Sequence, residues 1–238
     1  MPDVSQTFDR VVVVNLDRRP ERMERFWQLL GDWPFRRPER FAAIDGAVAG
    51  VPAGWERGAG AWGCMLSHRQ VIRTAIDDGL SSVLLLEDDA FPVDNFARQS
   101  AEFLQNLPDD WDCIMWGGEH ILPPHSVAPG IVQCVSTNRT HAFAIRGRMM
   151  KTLLEFWEAT RNDHCDLILA SLMRHFKAYA PEPFLIGQDA GYSDITGFKE
   201  CLRFLSPEHT RAIAAKDSRR YFLETLVITR PERARAAV

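Results

Sequence analysis

Short apolar runs that stop abruptly at polar residues are the clearest pattern along this chain. Val11-Val12-Val13-Val14 is apolar and β-branched throughout and ends at Asn15. Such a run suits a strand covered on both faces. Pro20 stands where a helix can begin, and Met23, Phe26, Trp27 and Leu30 follow at i, i+3, i+4 and i+7, an amphipathic stripe. The chain therefore opens as strand, polar turn, helix. Arg40 to Ile44 reads as a second short strand closing at Asp45-Gly46, and residues 47–61, rich in Gly, Pro and Ala, read as a loop. A helix is expected from about Cys64 to Asp78, burying Met65, Ile72, Ala75 and Ile76 and stopped by Gly79.

The same alternation continues. Val83-Leu84-Leu85-Leu86 is a buried strand running into Glu87-Asp88-Asp89, and Phe96, Phe103, Leu104 and Leu107 mark the next helix. Cys113-Ile114-Met115-Trp116 is a further core strand, ended by Gly117-Gly118. Residues 118–130, with Pro123, Pro124 and Pro129, are expected to be a surface loop. Ile131 to Val135 and His141 to Ile145 read as two more strands, in antiparallel sense. Met149, Met150, Leu153, Leu154 and Trp157 make a helical face, and a shorter helix runs from Asp166 to about His175. This order predicts an α/β fold with a mostly parallel central sheet flanked by helices. It gives one domain over 1–200 and a helical C-terminal appendage over 201–238. There is no internal repeat.

Composition narrows the picture only modestly. With 238 residues, 46% of them hydrophobic and 25% charged, the chain can bury one sizeable core. The formal net charge of -4 makes nucleic acid a poor partner. The locally basic end (Arg219, Arg220, Arg230, Arg233, Arg235) reads as a solvated charged tail, with contact to an anionic membrane surface or acceptor as the alternative. Five cysteines, scattered without a C-x-x-C pair, argue against a disulfide scaffold and against a cysteine zinc site. His120, His141 and His164 lack a zinc-like spacing as well. No signal peptide or membrane span is recognisable, so the expected location is cytoplasmic, at most peripheral at the inner face of a membrane.

The polar strand ends are where chemistry is expected, because ligands of open α/β sheets bind beyond the carboxyl ends of the strands. Asn15 and Asp17 close the first strand, and Arg18, Arg19 and Arg22 after it are placed to face a diphosphate. Asp45 closes the second, as a ligand to base or ribose or as a turn residue before Gly46. Three adjacent carboxylates at Glu87-Asp88-Asp89 repel one another unless a cation or solvent relieves them. Hard divalent ions, Mn²⁺ or Mg²⁺, take such oxygen ligands together with substrate phosphates. Strand alternation would put Glu87 and Asp89 on one side and Asp88 on the other. Of the aromatic residues, Trp55 and Trp62 are candidates for sugar stacking, and Trp116 fits the core better.

Taken in order, these blocks resemble glycosyltransferase family 25, which includes bacterial lipopolysaccharide and lipooligosaccharide sugar transferases and collagen galactosyltransferases. Val13 to Arg22 looks like the family's opening strand and turn, and Arg40-Phe41-Ala42-Ala43-Ile44-Asp45-Gly46 like its second block. Gly63-Cys64-Met65-Leu66-Ser67-His68 is similar to the Gly-Cys-x-x-Ser-His block, and Leu84 to Ala90 to the Glu-Asp-Asp block. Fainter matches follow at Trp111 to Gly117, Thr140 to Phe143, Cys165-Asp166-Leu167 and Gln188-Asp189 to Ser193-Asp194.

The resemblance implies a GT-A-type nucleotide-diphospho-sugar transferase fold, a UDP-sugar donor, a divalent cation and an inverting transfer. It implies a hexose such as galactose moved to a glycan or glycolipid acceptor such as lipopolysaccharide. By this likeness Asp89, Glu87 and Asp189 are the metal candidates, and Asn15, Arg18, Asp45, Ser67, His68, Glu87 and Asp88 the donor-binding ones. Asp166, Asp189 and Asp194 are the candidates for the catalytic base, Asp166 leading. From the residues alone Asp166 is equally an N-terminal helix residue, and Ser67 and His68 are as readily structural. A metal-dependent phosphoryl or nucleotidyl transferase is a competing enzyme class, though no G-x-x-x-x-G-K-[ST] loop is present. A catalytically silent nucleotide- or glycan-binding relative is the non-enzymatic alternative.

Overall fold

The computed structural model describes residues 3–160, 162–189, 191–195 and 199–200. The expected appendage over 201–238, with its arginines and Cys201, lies outside the described residues.

The chain begins with β1 (Arg10–Asn15), α1 (Pro20–Leu29), β2 (Glu39–Ala42), α2 (Gly46–Ala49), α3 (Gly58–Asp77) and β3 (Ser82–Glu87). It continues through β4 (Ala90–Pro92), α4 (Phe96–Asn106), β5 (Cys113–Met115), β6 (Glu119–Leu122), β7 (His125–Ala128) and β8 (Ile131–Gln133). Then come β9 (Ser136–Asn138), β10 (Ala142–Arg146), α5 (Arg148–Ala159), α6 (Cys165–Leu172), β11 (Ala178–Pro181) and β12 (Ile186–Gln188). Eight strands form the main sheet in the order β2-β1-β3-β10-β5-β11-β8-β7.

The α/β class is as expected, with one difference in detail. β2–β1, β1–β3 and β5–β11 pair in parallel, while β3–β10, β10–β5, β11–β8 and β8–β7 are antiparallel. The sheet is therefore mixed, with parallel pairing in its β2-β1-β3 part and between β5 and β11. The reason is local. The segment between β5 and β10 folds into the short strands β6 to β9 and holds no crossover helix of the kind that joins parallel neighbours, and β10 returns between β3 and β5 in the opposite sense.

Period-two alternation assigns the core. Val12, Val14, Val83, Leu85, Met115 and Phe143 point to one face, where they meet α3, α5 and α6. Val11, Val13, Leu84, Leu86, Ile114 and Ala144 point to the other, against α1 and α4. Both faces are covered, which is why these strands read as unbroken apolar runs.

Three local expectations change. The loop expected over 47–61 contains α2, and α3 begins at Gly58 rather than near Cys64. That extension depends on small residues: a Cβ on Gly63 would lie 2.4 Å from the Ile44 carbonyl oxygen, and one on Gly60 2.3 Å from that of Asp194. The loop expected over 118–130 holds β6 and β7, short strands separated by Pro123 and Pro124. β7 sits at the sheet edge, where polar, exposed residues are tolerated. Strands β8 and β10 both form, but each is antiparallel to other neighbours rather than to its counterpart. Among the described residues, no helix is long and apolar enough to cross a membrane.

Candidate active site

The parallel part of the sheet delivers the acidic triplet to a crowded place. β3 ends at Glu87, and Asp88-Asp89 form the turn into β4. Because regular strand stops there, the alternation expected for the triplet does not carry through. Asp88 and Asp89 converge on one guanidinium: Arg22 Nη2 lies 2.5 Å from Asp88 Oδ1 and 2.9 Å from Asp89 Oδ2. Glu87 turns apart from them, accepting a 2.8 Å hydrogen bond from Thr140 Oγ1 and facing His68 Nε2 at 3.5 Å.

Neighbouring elements complete the rim. Asn15, at the end of β1, donates from Nδ2 to Asp88 Oδ2 at 2.6 Å. β12 pairs with β4, and the Asp189 amide donates to the Asp89 carbonyl at 2.7 Å, which sets Asp189 beside the triplet. Gln188 Nε2 donates to Asp89 Oδ2 at 3.1 Å. The turn after β1 and the first turns of α1 add four arginines. Arg18 bridges Asp45 at 2.7 Å and Asp194 at 2.6 Å. Arg19 holds Asp194 at 3.0 Å, and Arg25 holds Asp189 at 3.1 Å.

Burial and pairing compete over these charges. Burial pushes the Asp88 carboxyl up to about 7, against the pull of Arg22. Burial also raises Glu87, against the attraction of His68. For Asp194, burial acts upward, but hydrogen bonds from Arg19 and Arg18 outweigh it and the net shift is down. A carboxylate held low by arginines is a weak proton acceptor, so Asp194 suits anchoring the rim better than acting as a base. The Arg18 hydrogen bond is the main cause that lowers Asp45, and its Oδ1 also accepts from the Ala47 amide at 3.0 Å, capping α2. The turn role weighed for Asp45 is thus present together with the ion pair.

Ser67 and His68 lie on the buried side of α3. Ser67 Oγ accepts from the Ile44 amide at 2.8 Å and donates to the Gly63 carbonyl at 2.7 Å, tying β2's end to the helix. Asp166 is in the first turn of α6, its Oδ1 accepting from the Leu167 amide at 2.8 Å. It faces the same cavity as the triplet, a space of about 750 Å³ whose walls include Arg22, Asp89, Thr140, Cys165, Asp166 and Asp189. That size falls in the range of small-molecule sites. A lesser space of about 120 Å³ adjoins it between Arg18, Asp45, Ser67, His68 and Asp194. Among the described residues, those singled out from the sequence for donor, metal or base roles lie on this rim or pack directly beneath it, whereas Asp17 is exposed and pairs with Arg40 and the tryptophans lie elsewhere. Trp116 is fully buried in the core, and Trp55 packs against Trp62 with ring centroids 5.0 Å apart.

A hard cation fits the donor set. Asp89 Oδ1 is buried without a hydrogen-bond partner among the described residues, and the surrounding acceptors are carboxylate oxygens. Arg25, Thr140, Gln188 and the Cys64–Cys165 pair were not among the candidate site residues, although all but Arg25 stand in the family-like blocks. Arg25 had a readable signal, since Arg18, Arg22 and Arg25 fall close to helical spacing. The cysteines, 101 residues apart, had none.

Against known proteins, no family model matches the chain. Its curated relatives are glycosyltransferase 25 family members. The human protein named inactive glycosyltransferase 25 family member 3 is 29% identical over 164 residues, 58% of this chain and 27% of that one. Procollagen galactosyltransferase 1 of Danio rerio is 26% identical over 221 residues, 75% of this chain and 36% of that protein. The chain spans between about a fifth and about a third of the length of the curated relatives it matches. Among solved structures, a glycosyltransferase involved in glycosylation of the major capsid of PBCV-1 aligns with TM-score 0.35 at 11% identity. That alignment covers 63% of this chain and 67% of the other.

Proposed function

We propose, from the likeness to glycosyltransferase 25 family members, that this chain transfers a hexose such as galactose from a UDP-sugar to a saccharide acceptor. The reading takes the transfer to be inverting, divalent-metal dependent and of GT-A type, with a lipopolysaccharide-like glycan as the acceptor. The observation that carries it is the meeting of arginines and carboxylates on one wall of the 750 Å³ cavity. A nucleoside diphosphate needs cationic partners for its phosphates, and guanidinium groups offer paired donors for them. Arg22 and Arg25, now held by carboxylates, are positioned to exchange those partners for phosphate oxygens.

Asp89, Asp88 and Asp189 would hold the ion through hard oxygen ligands, Asp89 through its unpartnered Oδ1. Such an ion, when bound, neutralises charge on the departing diphosphate. Asn15 fixes the Asp88 carboxylate, and Arg18 and Arg19 hold Asp194, which keeps the rim in place. Asp166, across the cavity and not paired with an arginine among the described residues, is the residue we assign to accept the acceptor hydroxyl's proton.

The test is UDP release from a panel of UDP-sugars with Mn²⁺ and a glycan acceptor. Asp89→Ala, or chelation of the ion, should lower turnover by about a hundredfold or more. Turnover indifferent to both would sink the metal-centred reading. A second reading is favoured by the name of the human relative, which is called inactive: the chain binds nucleotide sugar and transfers nothing. Saturable UDP-sugar binding with no UDP release under any donor would select it.

A further inference from the structure

Behind the acidic turn lies a second group of potential ligands with different chemistry. Cys64 and His68 stand one helical turn apart on α3, Glu87 closes β3, and Cys165 opens α6. Ligand atoms of Cys64, His68 and Glu87 all lie within 4.8 Å of one another. Cys165 Sγ is 3.7 Å from Cys64 Sγ, and both are free thiols. The group borders the large cavity through Cys64, Glu87 and Cys165, so an ion has a way in.

His68 supplies the independent sign of a ligand. It is fully buried, and its Nδ1 donates to the Cys64 backbone carbonyl at 2.9 Å. That bond accounts for Nδ1 and leaves Nε2 to find another partner. Nε2 has no hydrogen-bond partner among the described residues and points at Glu87 Oε1, 3.5 Å away. A buried imidazole nitrogen that faces a carboxylate without a hydrogen bond is unfavourable unless a proton or a metal ion lies between them. The arrangement also matches the pattern in which a metal-binding imidazole is oriented by a backbone carbonyl on its other nitrogen.

Distances point the same way. For zinc–sulfur bonds of about 2.3 Å in a tetrahedron, two thiolates stand about 3.8 Å apart. For zinc–nitrogen and zinc–oxygen bonds of about 2.1 Å, those two ligands stand about 3.4 Å apart. The Cys64–Cys165 separation of 3.7 Å and the His68–Glu87 separation of 3.5 Å fit these two opposite edges. Thr140 Oγ1 lies between the pairs, 2.8 Å from Glu87 Oε1 and 3.9 Å from Cys165 Sγ. The edges among Cys64, His68 and Glu87 stay within 4.8 Å.

We propose that Cys64, His68, Glu87 and Cys165 form a binding site for a borderline-soft divalent ion, zinc by ligand chemistry, separate from the hard-cation position at Asp89. Two sulfur ligands and one imidazole favour zinc over Mg²⁺ or Mn²⁺. The ion would join α3, β3 and α6 beneath the cavity floor and take Glu87 out of the hard-ion ligand set. Its binding releases the thiol protons. The inference does not rest on the sugar-transfer reading, since a silent binder would hold the same ion.

The experiment uses the full chain purified under reducing conditions without chelator. Zinc content is measured by elemental mass spectrometry, and Co²⁺ is then exchanged in. One zinc per chain and a thiolate-to-cobalt charge-transfer absorption are expected. Cys64→Ser and His68→Ala should each weaken Zn²⁺ binding more than tenfold, while Asp89→Ala should leave it intact. Should the variants fold poorly, stripping and re-adding Zn²⁺ to the unaltered chain gives the same reading, with thermal stability rising on re-addition. Absence of both zinc and the cobalt band in the unaltered chain would overturn the site. So would zinc lost on Asp89→Ala but kept by Cys64→Ser, or a Cys64–Cys165 disulfide whose reduction restores no metal binding.

Discussion

The two walls of the cavity solve the burial of polar groups in opposite ways. On the wall formed by the ends of β1 and β3, carboxylates are paired with guanidinium groups: Asp88, Asp89, Asp189 and Asp194 are met by Arg18, Arg19, Arg22 and Arg25. On the opposite side, lined by Asn138, Thr140 and His141 and backed by β6, neutral groups hydrogen-bond the buried imidazoles. His120 shares a 2.7 Å hydrogen bond through Nδ1 with the Thr137 hydroxyl and stacks on Phe184. His141 donates through Nε2 to the Ile186 carbonyl at 3.3 Å. Burial pushes both imidazoles down to about 4, so they are neutral at pH 7. One wall is thus built to exchange charged partners with a ligand, and the other to hold a fixed shape.

Removing the charge at the centre of the first wall should have the largest effect. Arg22→Ala leaves Asp88 and Asp89 buried without their shared guanidinium. Breaking such a pair costs about 3 kcal/mol, the low end for buried pairs because the Arg22 side chain keeps 23% exposure. Denaturant unfolding of the metal-free chain measures it, and adding Mn²⁺ should restore part of the loss. A cost below about 1 kcal/mol, the size of a surface pair, would show that the carboxylates do not depend on pairing.

The second wall is probed by acid. A histidine with pKa about 4 in the fold and about 6.5 unfolded binds its proton first in the unfolded state. Its contribution is therefore complete above pH about 6.5 and is lost as pH falls towards 4. For His120 the loss approaches about 3 kcal/mol, from about 1.4 kcal/mol per pKa unit. His120→Asn should flatten the fall in stability between those pH values by about that amount. An unchanged slope would mean that His120 is not the group taking up the proton.

The two walls also differed in how far the sequence disclosed them. β1 and β3 were legible because strands covered on both faces must be apolar throughout, and Val11 to Val14 and Val83 to Leu86 have no other reading at that length. The acidic turn and Asn15 were legible for the same reason, as abrupt polar ends of such runs. The second wall was not, because β6, β7 and β9 are strands of three or four residues with irregular register, too short to leave a periodic pattern. The direction of β10 followed from that hidden stretch, and so did the mixed sheet. The Cys64–Cys165 approach depends on α3 and α6 packing together, which no spacing along the chain records.

The smallest effect tests how the first wall is assembled. Gly60 lies in the first turn of α3, where alanine would favour the helix by up to about 1 kcal/mol. Its Cβ, however, would come within 2.3 Å of the Asp194 carbonyl oxygen, which is backbone and cannot yield without moving residues 193–195. Gly60→Ala should therefore destabilise the chain by about 1–2 kcal/mol, within the usual cost of overpacking. The displaced segment carries Asp194 away from Arg18 and Arg19, so the two sites are coupled. Asp194→Ala should cost less in the Gly60→Ala background than alone, a non-additivity of at least about 0.5 kcal/mol in a double-mutant cycle. Strict additivity would mean that the arginines hold Asp194 wherever its backbone sits, and that the close approach at Gly60 is not what places the rim.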